Sequence, residues 1–185
     1  MARESKMFWK IARSGSVLRL VTGVAVFAVL AIGAAAQIDG DDTAPPPLKF
    51  VTKADLAKLE ATTDVKKRTQ TALDLMSERL KMAETLGTQD QLDEMYKELG
   101  GFHGIMDNTL AFLDSSDKSR GKVLNNYKKF EMGLRQFRPR LELIRRDIPV
   151  RYEAYVRNLI VYLREARAKA VEPLFSDSVV PRNKP

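Results

Sequence analysis

The sequence predicts an all-α protein: an antiparallel helical bundle behind an N-terminal export or anchor helix. Three observations carry that reading. From Lys122 to Ile148 the apolar residues Val123, Tyr127, Phe130, Leu134, Phe137, Leu141, Ile144 and Ile148 recur at alternating intervals of four and three. That spacing winds them into one stripe on a helix and leaves mostly Lys and Arg between them, so other helices must cover the seam. No segment sustains the alternation of a half-buried strand. Finally, a charge-free run of seventeen residues, Leu20 to Ala36, follows a leader holding Arg3, Lys6, Lys10, Arg13 and Arg19 against a single Glu4.

That leader and run read as an address. Two readings stay open: a secretory signal cut between Ala36 and Gln37, or an uncleaved anchor that crosses the membrane through residues 20–36 with its basic end in the cytoplasm. Both place the remainder outside the cytoplasm, in a periplasm or at the cell surface, anchored or secreted. The chain of 185 residues has no cysteine, which suits an oxidising compartment and excludes disulfides, thiolate metal sites and thiol nucleophiles. Residues 1–36 hold five of the 31 basic residues and one of the 24 acidic ones, so the remainder carries a net charge of +3 rather than +7. With no Gly-rich phosphate loop, finger spacing or stacking cluster, nucleic acid is not an expected partner.

Residues 37–52, with Asp39, Asp41, Asp42 and the triplet Pro45, Pro46, Pro47, read as an acidic, proline-stiffened spacer that forms no helix and buries little. The bundle domain follows over 53–172. Thr52 is the expected N-cap of a first helix with Asp55 in its first turn. Its stripe of Leu56, Leu59, Leu73, Met76, Leu80 and Ala83 runs to Gly87, with a weak section from Ala61 to Ala72. After the short link Gly87-Thr88-Gln89, Asp90 is expected to cap a second helix carrying Leu92, Met95, Leu99, Phe102, Met106, Leu110 and Leu113, antiparallel to the first. Within it Gly100, Gly101 and Gly104 imply a kink or a close approach, helix packing being the expected cause. The turn Asp114 to Asp117 launches the third helix, which Pro139 should kink rather than end. At Pro149 the apolar register slips to Tyr152, Tyr155, Leu159, Tyr162 and Ala166, favouring a break and four helices over three with a long kinked last one. That helix fades near Glu172, and residues 173–185 read as a disordered tail.

Charge is segregated along the chain: the net is −7 from Gln37 to Asp117 and +10 from Lys118 to Pro185. Mutual attraction of the two halves, or of copies head to tail, accounts for the pattern, as does a basic surface kept free for an anionic partner. On an ideal helix Lys122, Lys129 and Arg140 fall within about 20° of one another, and Arg157, Arg164 and Arg167 within about 80°. These six are the candidate contacts for phospholipid headgroups, an acidic surface polymer or an acidic protein.

No catalytic set, metal site or cofactor site emerges. His103 is the only histidine, and with Asp107 alone one turn on it reads as structural. Glu94 and Glu98 read as a solvated face, and Ser115 and Ser116 as caps. Tyr152, Tyr155 and Tyr162 read as a bundle edge with hydroxyls at water, and Met76, Met82, Met95, Met106 and Met132 as core filler. The expected function is a non-enzymatic envelope protein that binds a partner protein or its own copies. The alternative is a binding module for anionic lipid or polymer, using the basic surface of residues 122–169.

Overall fold

The computed structural model describes residues 43–117 and 121–175. The expected export or anchor segment, the acidic start of the spacer and the tail from residue 176 lie outside them. Helices α1 (Lys53–Glu60), α2 (Val65–Thr88), α3 (Leu92–Ser115), α4 (Gly121–Asp147) and α5 (Val150–Val171) are followed by a 3-10 turn, Glu172–Phe175. The described residues contain no strand and no helix long and apolar enough to cross a membrane.

Several boundaries differ from expectation for local reasons. Thr52 does cap α1, its Oγ1 accepting the Asp55 N–H at 3.0 Å. The weak section after Ala61, however, is a break. Thr62 Oγ1 accepts the Asp64 N–H at 3.1 Å and Asp64 Oδ1 accepts the Lys67 N–H at 2.9 Å, so Asp64 starts a new helix. Asp90 does not cap α3. With φ of 59° it takes the left-handed position that ends α2, its N–H bonding the Gly87 carbonyl while the Gln91 N–H bonds that of Leu86. This paired closure satisfies the last carbonyls of a helix and usually places glycine where Asp90 stands. The Ser115 and Ser116 hydroxyls donate back to the Phe112 carbonyl at the end of α3. They do not launch α4. Helix α4 runs on through Pro139, and the break at Pro149 falls as the register slip requires. Of the tail, Pro173 is buried and Glu172–Phe175 are ordered against α4 and α5.

The helices are not an all-antiparallel bundle. Arg79 meets Glu98 and Arg68 meets Asn108, so partners move in opposite directions along α2 and α3. Glu131 with Arg167 and Arg145 with Glu153 give the same antiparallel sense for α4 and α5. Between these two hairpins the sense is parallel. Asp64 pairs with Lys122 and Glu84 with Arg140, at sequence offsets of 58 and 56. Likewise Tyr96 meets Tyr152 and His103 meets Tyr162. The hairpins therefore lie side by side, α2 against α4 and α3 against α5.

Helix α3 is the centre of this arrangement, since every residue from Leu99 to Met106 is buried. Its fourth side is covered by residues 43–52, a strap that corrects the expectation of a spacer burying little. Ala44 is buried and its N–H bonds the Arg151 carbonyl at 2.7 Å. A Cβ added at Gly100 would stand 2.3 Å from the Leu48 carbonyl oxygen, and one at Gly104 would stand 2.0 Å from that of Phe50. Two strap residues thus match one turn of helix, about 6 Å, which identifies the strap as extended. Gly100 and Gly104 admit a strap backbone, whereas Gly101 admits the Arg79 side chain of the neighbouring helix α2. Arg79 locks the same region: it lies over Gly101 and forms ion pairs with Asp55 at 2.5 Å and Glu98 at 2.9 Å, all three side chains being largely buried.

Two substitutions test these points by urea unfolding. Gly104→Ala should cost about 2 kcal/mol in the intact chain, since the Phe50 carbonyl must move. In a chain starting at residue 53 it should instead stabilise by up to about 1 kcal/mol, through helix propensity alone. Asp90→Gly should stabilise by about 0.5 kcal/mol or more by relieving the left-handed backbone.

Candidate functional site

The six basic candidates are mostly engaged within the chain. Lys122 Nζ lies 2.5 Å from Asp64 Oδ2, and this hydrogen bond, with that from the Lys67 N–H, holds the Asp64 carboxyl below its usual range. Arg140 forks onto Glu84 with two bonds of 2.7 Å. Lys122, Lys129 and Arg140 do share one flank of α4, but that flank faces α2. Arg157 donates to Glu153 at 2.8 Å. Arg167 donates through two nitrogens to one oxygen, Oε1, of the buried Glu131, at 3.0 and 3.1 Å, alongside Arg135. Burial raises the Glu131 carboxyl, and the hydrogen bonds from Arg135 and Arg167 more than reverse this. Arg164 is exposed, and Arg157 and Arg167 pair with different carboxylates, Glu153 and Glu131.

The strap forms a different site. Pro45, Pro46, Pro47, Leu48 and Phe50 line a shallow pocket of about 440 Å³ with Tyr96 and the aliphatic stem of Lys97 on α3. Its surface is almost wholly apolar. The strap is held here through its backbone, by two carbonyls over glycine and one N–H, which leaves the side chains of Pro45, Pro46 and Leu48 free to face outward. Leu48 is 84% exposed, and Pro45 and Pro46 are exposed as well. At the far end Lys49 Nζ reaches Asp107 at 2.5 Å.

Beneath the strap lies an aromatic cluster. The Tyr96 hydroxyl donates to the Tyr152 carbonyl at 2.6 Å, and Tyr96 packs edge-on against Tyr152 and Tyr155 with centroids 4.9 and 5.2 Å apart. Burial pushes the Tyr96 hydroxyl up to about 12. The Tyr152 hydroxyl reaches Asp93 at 3.2 Å, but that of Tyr155 is buried without a partner, away from the water boundary expected of it. His103 is buried as a structural residue would be, its ring 4.9 Å from that of Tyr162. Its Nε2 stands 4.0 Å from Asp107, beyond hydrogen-bond reach. Glu98 is not on a solvated face, since it pairs with Arg79, whereas Glu94 is exposed. Met82 and Met132 are exposed, so only Met76, Met95 and Met106 serve as core.

Among the described residues no group of three or more His, Asp or Glu side chains could hold a metal ion. Comparison of the chain with protein-family models, curated proteins and solved structures finds no match in any of the three. The site has therefore to be read from its own geometry. The strap pocket went unseen in the sequence because a backbone-docked segment leaves no apolar stripe. The one signal was the pair Gly100 and Gly104, a helical turn apart.

Burial lowers the His103 imidazole from its ordinary 6.5; Asp107 opposes this and Lys49 adds to it. The unfolded chain therefore binds a proton more readily than the folded one. Stability is full above the ordinary value and falls as pH drops through it toward the folded value. Urea unfolding between pH 7.5 and pH 5.5 should show this decline, with a slope below about 1.4 kcal/mol per pH unit for one proton. In His103→Gln that component should vanish; an unchanged slope would assign it elsewhere.

Proposed function

We propose that the chain is a non-enzymatic, exported or membrane-tethered helical module of the cell envelope, and that the strap face binds a partner protein or a second copy. One observation carries this reading. Leu48, Pro45 and Pro46 are held at the surface by a fixed backbone, so an apolar face is presented to solvent with little conformational freedom left to lose on binding. Apolar and aromatic side chains on a rigid support, here flanked by Asp93 and Lys97, are the usual centre of a protein interface. The export reading rests on the basic leader and the run from Leu20 to Ala36. An anionic lipid or polymer on residues 122–169 has less support, because Lys122, Arg140, Arg157 and Arg167 already face carboxylates.

The test is affinity capture of the tagged full-length chain from gently solubilised envelopes at low and high salt, with light scattering of the purified chain for self-association. The bound protein, or the second copy, should persist at high salt and be weakened about tenfold or more by Leu48→Asp, with the melting temperature unchanged. Equal capture by the variant would remove the strap face as the interface.

A further inference from the structure

The end of α1, the first two turns of α2 and the third turn of α4 converge on a concave surface of about 690 Å³. Lys58, Lys66, Lys67 and Lys129 line it, together with Thr62 and Thr71. Among the described residues none of these four lysines has an ion-pair partner. The one carboxylate in the lining, Asp64, is already spent: Oδ1 caps the Lys67 N–H and Oδ2 takes the Lys122 ammonium. We propose that these four lysines form a binding site for a compact polyanion bearing phosphate groups.

Three physical arguments point there. Four ammonium groups brought together from three elements repel one another, and the lining answers them with a single carboxylate, Asp64, which already pairs with a fifth lysine, Lys122. Lys66 and Lys67 stand in the first turn of a 24-residue helix, where the helix dipole disfavours cations and the N-cap Asp64 is the one carboxylate beside them. A sequence that breaks a local rule in two ways at one place does so most simply for a ligand that reverses both costs. The geometry also selects the ligand. Four flexible point charges around one concave surface match several negative charges carried on one compact group, and lysine binds phosphate as such a point charge. Thr62 Oγ1 accepts the Asp64 N–H, which leaves its own O–H available to donate to a phosphate oxygen. The phosphate can be soluble or part of a lipid headgroup; the recognising chemistry is shared.

This site uses α1, α2 and α4 and none of the strap, so it stands or falls separately from the partner-binding reading. The test is calorimetric titration of the full-length chain in neutral detergent, with inorganic tripolyphosphate in one arm and dihexanoyl phosphatidic acid in the other, and dihexanoyl phosphatidylcholine as the uncharged comparison. The variant K58Q/K66Q/K67Q/K129Q is set against K53Q/K81Q/K97Q/K169Q, which removes the same charge from exposed positions elsewhere. The site variant should lose about tenfold or more in affinity while the control changes less than about twofold, and binding should weaken steeply with salt. Free of ligand at low salt, the site variant should also melt above the wild type, because the repulsion is gone. Binding of tripolyphosphate alone identifies a soluble ligand, and tighter binding of phosphatidic acid identifies a headgroup. Equal losses in the two variants, or no binding of either probe by the wild type, would overturn the site.

Discussion

Helix α3 is buried on every side between Leu99 and Met106, and the remaining elements take their places from the need to cover it. A helix satisfies its own backbone polar groups, so burial on all sides is cheap for its interior, but four separate neighbours have to be found. Helix α2 covers one side, α5 a second, and α4 touches it across the diagonal. The fourth side falls to the strap, whose carbonyls come within van der Waals range of α3 only because Gly100 and Gly104 carry no side chain. Such approaches also permit weak Cα–H···O contacts, which favour this geometry without dominating it. The Arg79 pairings with Asp55 and Glu98 then tie the strap's continuation, α1, to both helices of the first hairpin. Breaking that trio from one side leaves a charge stranded in a largely buried setting, which is why it fixes the position of α1 more firmly than exposed pairs could.

The segregation of charge along the chain takes on a narrower meaning in this light. Among the described residues, acidic and basic halves meet in ion pairs at two places, Asp64 with Lys122 and Glu84 with Arg140, and both lie on the parallel seam between α2 and α4. That seam has no short connection to fix its register, unlike the two hairpins. Ion pairs near its two ends, with Leu73 seated against Gly133 between them, discriminate against sliding by one turn. Four other arginines pair locally within the second hairpin, Arg135 and Arg167 with Glu131, Arg145 and Arg157 with Glu153. The charge pattern therefore serves folding at the seam and inside the second hairpin. Among the basic side chains left without a carboxylate partner, four lysines gather where α1, α2 and α4 meet.

The long helices were legible in the sequence because their apolar period is strong: α3, α4 and α5 follow from the stripes through Leu99, Leu134 and Leu159, and Pro149 from the slip in register. A stripe states which face is buried and is silent on what covers it. Hence the parallel pairing of hairpins, which depends on residues nearly sixty positions apart, could not be read from it. The strap was missed for a related reason. Pro45 to Leu48 bury backbone against glycine and little side chain, so composition marks them as solvated spacer. The end of α2 near Gly87 was legible, but the role of Asp90 was not, because glycine is the usual sign of a left-handed closure and aspartate reads equally well as a cap. The lysines at 66 and 67 registered only as a gap in a stripe; their meaning depends on Asp64 starting a helix just before them.

Holding a segment by its backbone separates what the fold needs from what the surface offers. The carbonyls of Leu48 and Phe50 and the N–H of Ala44 are present whatever side chains stand at positions 45, 46 and 48, so those side chains are released from any duty in the core. The requirement for stability falls instead on Gly100, Gly104 and Arg79, which lie beneath the strap. A surface built this way can vary its apolar content without moving the helices behind it, and the helices in turn keep it from flexing. Leu48, exposed on an immobile backbone, then costs the isolated protein little order and leaves its apolar side chain to be covered by whatever docks there.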